Sequence, residues 1–239
     1  RIFQKLSAIS ESEIPVIDKK CITVMCSDNG VVEEGISQSG KEVTLAVAKS
    51  MALGTSSISV LCRSCASDLM VIDIGIDSFD SDIYSMGVIN HKLMHGTNNF
   101  VKEKAMPPDI SLRAILTGIE IVENLKSKGV NIIGTGEMGI GNTTTSSALS
   151  SVLLNLPVAN VTGRGAGLND IKLQRKIDII EFGINKYGFR DKSFIDSINS
   201  KSIDTRVLAT IDLLSSIGGL DIAALTGIFI GGAIHKIPV

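Results

Sequence analysis

The stretch at residues 129–149 most constrains what this chain can fold into. Its sequence is GVNIIGTGEMGIGNTTTSSAL, in which a short apolar run at 130–133 precedes a glycine-rich segment and three threonines. The run predicts a buried parallel strand, and Asn142 or Thr143 is the expected N-cap of a following helix. A glycine loop between them would present backbone N–H groups and the positive end of a helix dipole. The stretch therefore predicts an anion site, with a ligand-free glycine-rich turn as the alternative.

The glycine spacing also resembles two nucleotide-binding motifs. Gly134, Gly136 and Gly139 fit GxGxxG, but that fingerprint needs an acidic residue about 20 positions further on. The sequence in that region, LLNLPVANVTG, has none. A P-loop needs Gly-Lys-Ser or Gly-Lys-Thr after its glycines, and neither tripeptide follows here. We therefore predict a phosphate-binding loop that is neither a dinucleotide loop nor a Walker loop.

Composition narrows the class of protein. With 239 residues, 44% of them hydrophobic, the chain can bury one large domain or a domain and a half. The 23 basic and 25 acidic residues are well mixed, so we expect no nucleic-acid partner. We also expect no membrane partner, because no uninterrupted apolar run of bilayer length is evident in the sequence.

Cysteines and histidines are the candidate metal or redox groups. Cys62 and Cys65 have CxxC spacing but lack a second pair for zinc, so we expect buried free thiols in a cytoplasmic protein. His91 and His95 are spaced i,i+4, as a metal pair on a helix would be, but no third ligand stands out nearby. We therefore predict no metal and no cofactor.

Acidic and basic residues follow several predicted elements. Asp28 follows the predicted strand 21–26, and Asp77 follows the predicted strand 69–74. Ligands of open α/β sheets bind at the carboxyl ends of strands, although helix capping explains Asp28 equally well. A second glycine cluster, VTGRGAGL at 161–168, is expected at the end of the next strand, where Arg164 could face an anion. The alternative is a flexible loop with a solvated arginine.

The order of predicted elements alternates between strand and helix. A further strand is predicted at 57–62, and helices are predicted at 42–53, 107–128, 170–186 and 207–217, while 226–230 fits either type. The alternation predicts an α/β protein with a doubly wound, mostly parallel sheet and helices on both faces.

Five stretches, in order, resemble the nicotinate-nucleotide–dimethylbenzimidazole phosphoribosyltransferases, which activate the lower-ligand base of cobamides. They are SDNGVVEEGIS at 27–37, VIDIGID at 71–77, GTGEMGIGNTTTSSAL at 134–149, TGRGAGL at 162–168 and GGLDIAALTG at 218–227. The run GEMGIGNTT is highly specific, and together the stretches cover almost the whole chain.

The resemblance implies transfer of the phosphoribosyl group of nicotinate mononucleotide to 5,6-dimethylbenzimidazole or a related base. The products would be nicotinate and α-ribazole 5′-phosphate. It also implies a cytoplasmic homodimer with a Rossmann-like domain and a small helical domain. On that pattern residues 1–14 are a remnant of the N-terminal helical region. Residues 15–239 are the α/β nucleotide-binding core, truncated before a C-terminal catalytic segment.

The resemblance further implies roles for individual residues. Glu137 and Lys176 match catalytic positions, and Glu137 would stabilise positive charge on the ribose or orient the base. The residues expected to bind the phosphate and the nucleotide are Gly139, Gly141, Asn142, Thr143, Thr144, Gly163, Arg164, Gly165 and Gly167. The base pocket falls to Ser39, Val47 and Met138, and Asp28, Asp77 and Asp221 are further candidates.

Two departures from the family pattern limit these expectations. Val47 stands where well-known members have glutamine, and Met138 replaces a leucine, so benzimidazole, adenine and phenolic acceptors all stay open. The family's general base is a glutamate in a Gly-Glu-Gly motif, which this sequence lacks. Because that carboxylate takes the proton from the base nitrogen, we expect the chain alone to be nearly inactive. The alternatives are a non-catalytic nucleotide-binding subunit that pairs with an active homologue, and a dinucleotide-dependent oxidoreductase.

Overall fold

The computed structural model describes residues 1–239 and contains one parallel sheet of four strands. The strands are β1 (Lys20–Ser27), β2 (Ser67–Gly75), β3 (Ile89–Asn90) and β4 (Ile132–Met138). Their order across the sheet is β3-β2-β1-β4, and every neighbouring pair is parallel. The predicted α/β fold with a parallel sheet is confirmed.

Helices connect the strands and cover both faces of the sheet. They are α1 (Ile2–Ser10), a 3₁₀ turn (Gly30–Glu34), α2 (Glu42–Ala52), α3 (Ser57–Ser64), α4 (Asp82–Ser85), α5 (Pro108–Ser127), α6 (Asn142–Leu153), α7 (Val158–Val161), α8 (Asp170–Lys186), α9 (Lys192–Ile198), α10 (Ile203–Ile217) and α11 (Leu220–His235). The predicted helices at 42–53, 107–128, 170–186 and 207–217 are all present, and the undecided segment 226–230 lies within α11.

Residues 57–62 form a helix, so the strand predicted there is wrong. α3 begins after Ser56, whose side chain caps the helix by accepting a hydrogen bond from the Ser59 N–H. A short apolar run of this kind fits a strand and a buried helix equally well, and here the cap decides for the helix.

β4 is longer than predicted, and this removes two glycines from the expected loop. Gly134 and Gly136 lie inside the strand, and only Gly139 and Gly141 follow it. A Cβ on Gly134 would lie 2.4 Å from Ile22 Cδ1 of the neighbouring strand. These two glycines therefore make room for side chains of β1. The GxGxxG spacing does not form a dinucleotide-binding loop, and the N-cap of α6 is Gly141 in place of Asn142 or Thr143.

Two apolar clusters pack on opposite faces of the sheet. Cys21 and Met25 of β1 belong to the larger cluster, together with residues of α5, α10 and α11. Val24 and Cys26 alternate with them and belong to the smaller cluster, together with residues of α2. Because successive strand residues point to opposite faces, β1 is covered on both sides, as a central strand of a doubly wound sheet should be.

α5 and α11 cross with their backbones in direct contact. A Cβ on Gly118 of α5 would lie 2.1 Å from the Ala224 oxygen, and one on Gly227 of α11 would lie 1.9 Å from the Ile115 oxygen. α11 also contacts β1, β2 and β4. This packing fixes the amino end of α11 near the residues that follow β1.

One stretch, Glu42–Ser64, is long and apolar enough by composition to cross a membrane, with 23 residues and a mean hydropathy of 1.4. In the structure it forms α2 and α3, which have 11 and 8 residues and are separated by residues 53–56. Each helix is far shorter than the ~20 residues needed to span a bilayer.

Candidate active site

The loop between β4 and α6 lies flat against the segment that follows β1. A Cβ on Gly139 would lie 1.9 Å from the Ser27 oxygen, and one on Gly141 would lie 2.7 Å from Val32 Cγ2. Gly141 also has a positive φ of 94°, which side chains disfavour. Only glycine fits at these two positions, so the backbone itself forms this wall of the site.

A cavity of about 80 Å³ opens beside this loop at the carboxyl end of the sheet. Three loops, the start of α6 and one residue of α8 line it, namely Ile36, Ser37, Gln38, Gly139, Ile140, Gly141, Asn142, Thr143, Thr144, Arg164, Gly165, Ala166, Leu168 and Lys176. Most of the residues expected to bind phosphate and nucleotide therefore meet here. Gly163 and Gly167 are adjacent to the lining, and their carbonyl oxygens accept hydrogen bonds from Lys176 and Gln38.

Lys176 is buried in this cavity and has no carboxylate partner. It is 1% exposed, and its Nζ donates to Thr143 Oγ1 at 2.8 Å and to the Gly163 oxygen at 3.3 Å. Burial lowers the pKa of the ammonium to about 8. A lysine in mid-helix is usually solvated, but α8 turns Lys176 inward on the same face as the core residues Ile180 and Ile184.

Glu137 lies at the end of β4, beside the start of α6. The Asn142 side-chain amide donates a hydrogen bond to Glu137 Oε2. The carboxyl group keeps access to solvent on one side, yet the surrounding atoms displace enough water to raise its pKa. The carboxylate and the amide thus form one edge of the site.

The Arg164 guanidinium is held by its own loop. It donates to the Leu168 oxygen at 2.9 Å and forms an ion pair with Asp170 at 2.5 Å. The loop follows the short helix α7, so the expectation that it follows a strand is wrong. Gly165 and Gly167 have φ angles of 53° and 96°, and these turns bring the loop over Thr143.

The two acids at strand ends have different surroundings. Asp28 is 1% exposed, and its carboxylate accepts hydrogen bonds from Thr44 Oγ1 at 2.6 Å and from the Asp77 N–H at 2.8 Å. Burial nevertheless raises the pKa of Asp28. The Asp77 side chain forms a partly exposed ion pair with Lys41 at 3.0 Å.

Thr44 is a site residue that the sequence reasoning missed. Its hydroxyl donates to Asp28 and accepts from the Ile140 N–H at 3.1 Å, so it links the strand end to the glycine loop. Its fully buried position on α2 shows that the helix turns a polar residue toward the sheet. A polar residue on an apolar helix face is the signal that would have found it.

Polar atoms without partners are concentrated at this end of the sheet. Asp221, in the first turn of α11, is fully buried, and neither of its carboxyl oxygens has a side-chain hydrogen-bond donor. Asn29 Oδ1 and Thr144 Oγ1 are buried and unpaired as well. Burial, together with the charge of Glu137, raises the pKa of Asp221 to about 7. Buried polar groups normally have partners, so these atoms mark a place of functional interest.

The three residues expected in the base pocket do not line this cavity. Val47 and Met138 are half-buried and pack against the same apolar cluster on the α2 face of the sheet. Ser39 follows the cavity-lining Gln38, and its N–H donates to Ser37 Oγ at 3.2 Å.

The histidines and cysteines have ordinary surroundings. His91 and His95 lie in a non-helical segment, so they do not form an i,i+4 pair on a helix, and the His95 ring stacks on Phe79 with centroids 4.3 Å apart. Cys62 is buried, but Cys65 is exposed, so the expectation that all the thiols are buried is wrong for Cys65.

Comparisons with known proteins identify relatives of the chain. A family model described as phosphoribosyltransferase matches residues 1–239. A nicotinate-nucleotide–dimethylbenzimidazole phosphoribosyltransferase of Ruminiclostridium cellulolyticum is 44% identical over 238 residues, which are 100% of this chain and 62% of the relative. The same-named protein of Clostridium acetobutylicum is 42% identical over 240 residues, again 100% and 62%.

A solved structure gives the same result. The crystal structure of CobT from Thermus thermophilus superposes with a TM-score of 0.85 at 26% identity, covering 99% of this chain and 66% of that chain. The chain thus spans about 62% of the length of the curated relatives it matches. On these matches, the chain belongs to the nicotinate-nucleotide–dimethylbenzimidazole phosphoribosyltransferase family.

Proposed function

We propose that the protein transfers the phosphoribosyl group of nicotinate mononucleotide to 5,6-dimethylbenzimidazole or a related base. The products are nicotinate and α-ribazole 5′-phosphate, an intermediate for the nucleotide loop of cobamides. One observation carries the proposal: the buried Lys176 ammonium has no carboxylate partner and faces the glycine loop at the start of α6. A buried cation in this position requires an anion, and the 5′-phosphate supplies it.

The phosphate binds between the glycine loop and α8. The backbone of Gly139 and Gly141, the side chain of Asn142, and the hydroxyls of Thr143 and Thr144 surround one side of the cavity. The loop with Gly163, Arg164, Gly165 and Gly167 covers the other side. Arg164 contributes mainly by closing this loop, because its guanidinium is engaged by Leu168 and Asp170.

The reaction exchanges one bond to the ribose for another. A ring nitrogen of the base bonds to C1′, and the bond from C1′ to the nicotinate nitrogen breaks, with its electron pair leaving on nicotinate. Positive charge develops on the ribose, and we propose that the carboxylate of Glu137 stabilises it. The proton on the attacking nitrogen needs a carboxylate within hydrogen-bond reach. Residues 1–239 lack the Gly-Glu-Gly motif, so we infer that they are nearly inactive alone.

The accepted base is proposed to be apolar and flat. Val47 and Met138 contribute apolar surface from one cluster, which supports a benzimidazole-type ring with Ser39 at its edge. A phenol or adenine remains the competing acceptor. Comparing the three bases as acceptors, with the chain extended by the C-terminal segment of a relative, tests the assignment.

We further propose a cytoplasmic homodimer in which residues 15–239 form the core and residues 1–14 belong to a helical region. α1 buries none of its residues, which supports its separation from the core. α5 and α11 also expose large apolar side chains, namely Leu112, Leu116, Phe229, Ile230 and Ile234. A second copy is the proposed cover for that surface. A sedimentation experiment that shows only monomer at micromolar concentration would contradict it.

Calorimetric titration with nicotinate mononucleotide tests the central proposal. We expect the chain to bind the nucleotide and the double variant Thr143→Ala, Thr144→Ala to bind it at least ~10-fold more weakly, because two hydroxyl donors are lost. Thr210→Ala on α10, whose hydroxyl bonds only within its own helix, is the matched control. Equal binding by the double variant and the parent would rule out a phosphate on this loop. Binding without turnover in the chain extended by a relative's C-terminal segment would favour a non-catalytic nucleotide-binding subunit.

A further inference from the structure

A buried carboxyl group and a buried amide face the same point at the start of α11. Asp221 and Asn29 are both fully buried. The position that a Cβ on Gly219 would occupy lies 2.3 Å from Asp221 Oδ1 and 3.0 Å from Asn29 Oδ1. Neither oxygen has a side-chain donor, and the backbone N–H groups of Asp221 and Ile222, which lower the pKa of the carboxyl group, do not reach good hydrogen-bond geometry. Two acceptor oxygens therefore approach the same point without a side-chain donor between them.

A shared proton is the simplest way to satisfy both oxygens. Burying unpaired acceptors costs free energy, and burying an unpaired carboxylate costs more. A protonated Asp221 has an O–H that can donate to Asn29 Oδ1. Rotating the Asn29 amide instead would turn its oxygen toward the Ile140 carbonyl, which now accepts from Nδ2 at 3.3 Å. After that rotation the Asn29 and Ile140 oxygens would face each other, so two acceptors would again lack a donor.

No cationic side chain is available to keep Asp221 ionised, and burial outweighs the backbone N–H groups of Asp221 and Ile222, which favour the ionised form. The ionisable groups on the strands that α11 contacts at this end are Cys26 on β1, Asp28 just after β1, Asp73 on β2 and Glu137 on β4, none of which is a cation. α5 contributes Asp109 and Arg113 in its first two turns, and both are exposed to solvent. The negative charge of Glu137 adds to the effect of burial in raising the pKa of Asp221 to about 7.

Asn29 in turn contacts the glycine loop. Its Nδ2 donates to the Ile140 oxygen, and its Cβ lies 3.0 Å from where a Cβ on Gly141 would be. We propose that Asp221 is a positioning residue, which in its neutral form donates a hydrogen bond to Asn29 and thereby holds the 139–141 loop in shape. The loop-holding step stands on the unliganded geometry. Its consequence for phosphate binding rests on the function proposed above.

The test compares the chain with Asp221→Asn and Asp221→Leu. Asparagine keeps a donor toward Asn29 at every pH, and leucine removes it. Asp212→Asn, on the exposed surface of α10, is the matched control. Two quantities are measured between pH 5 and 9: the carbon-13 shift of the Asp221 carboxyl group, and the hydrogen-exchange protection of the amides at 139–144, corrected for the intrinsic exchange rate.

We expect the Asp221 carboxyl carbon to titrate with a midpoint near 7. Loop protection in the parent and in Asp212→Asn should fall by roughly 5- to 10-fold through that transition, the equivalent of one hydrogen bond. Asp221→Asn should keep the low-pH protection at every pH, and Asp221→Leu should show the reduced value throughout.

Two results would overturn the inference. One is a carboxyl midpoint in the ordinary range of aspartic acid. The other is an Asp221→Asn variant that loses as much protection as Asp221→Leu, which would mean that Asp221 acts as a charged acceptor or binds a cation. If the leucine variant does not fold, the titration of the Asp221 carboxyl carbon in the parent still tests whether this group is neutral near pH 7. Failure to bind nicotinate mononucleotide with the loop behaviour intact would count against the proposed function alone.

Discussion

Lys176 Nζ and Thr143 Oγ1 are joined by a hydrogen bond of 2.8 Å, which ties the middle of α8 to the first turn of α6. The main cationic donor of the proposed anion site is thereby held in position before any anion arrives. Pre-positioned donors lose little conformational entropy on binding, so their contribution to affinity is larger.

Lys176→Met should weaken binding of nicotinate mononucleotide by about 10- to 100-fold. A hydrogen bond to a charged group is worth about 1.5–3 kcal/mol, and methionine keeps the length of the side chain without the charge. Calorimetry measures the change. Lys192→Met on α9 is the control, since Lys192 forms an exposed ion pair with Asp196 of the same helix, away from the cavity. Equal losses in both variants would show that general charge, and not Lys176, governs affinity.

Nucleotide affinity should fall as the pH rises above 8. The pKa of Lys176 is lowered to about 8 in the free protein, so the ammonium loses its proton above that pH. A bound phosphate favours the protonated form, so binding requires proton uptake there and the affinity drops up to about tenfold per pH unit. Titrations from pH 7 to 9.5 check this. The slope should be absent in Lys176→Met, and an unchanged slope would assign the pH effect to another group.

Gly139→Ala should destabilise the fold strongly, and Gly163→Ala should not. An alanine Cβ at 139 would lie 1.9 Å from the Ser27 oxygen, so β1 and β4 would have to separate, whereas nothing lies within 4 Å of a Cβ at 163. We expect a loss of about 2–3 kcal/mol in the free energy of unfolding for the first and under about 0.5 for the second. Urea unfolding compares them. Similar values would mean that the loop moves aside without cost.

Thr44→Val should cost about 2 kcal/mol of stability, because it leaves a buried Asp28 oxygen and the Ile140 N–H without their shared partner. Thr117→Val is the control: this threonine is also buried on a helix, but its hydroxyl bonds only to the Arg113 oxygen of its own helix. It should lose under about 1 kcal/mol. Thermal unfolding of both variants measures the difference, and a larger loss for Thr117→Val would refute the linking role of Thr44.

Asp221 should make the free energy of unfolding fall as the pH rises from about 4 to about 7. Its pKa is raised in the folded protein, from 3.8 to about 7, so the folded state binds more protons than the unfolded state in that window. At 1.36 kcal/mol per pH unit the loss is at most about 4 kcal/mol, and it is complete above pH 7. Asp221→Asn should lack it. Urea unfolding should therefore show that the stability of the variant relative to the parent is higher at pH 8 than at pH 5. Parallel pH profiles of the free energy of unfolding would contradict the assignment.

The sequence predicted best those elements whose signals are local. β1 is an apolar run followed by Asp28 and Asn29, β2 is an apolar run that ends in Gly75, and α8 begins after Asn169, whose side chain caps the Lys172 N–H. The glycine-rich stretch predicted an anion site from its own residues. The strand predicted for the run SISVLC at 57–62 was wrong because its apolar residues fit both the strand period and the helix period. The helix is favoured by the cap that Ser56 provides.

Relationships between distant residues could not be read from the sequence. Lys176 is a buried residue of the site because Thr143, 33 positions earlier, lies opposite it. Asp221 and Asn29 meet only because the glycines of α5 and α11 let those helices touch. The family resemblance identified Lys176 as a candidate residue. Neither the residue pattern nor the motif spacing predicts the packing that shifts the pKa values of these groups.

The central place of β1 has a consequence for how the chain reaches its fold. Lys20 of β1 pairs with Ser67 of β2 and with Ile132 of β4, so its second neighbour is synthesised more than a hundred residues later. Parallel pairing across such a separation slows folding and leaves an apolar strand edge uncovered in the meantime. During translation one edge of β1 therefore stays unpaired until β4 has been synthesised, and a chaperone has time to bind that edge.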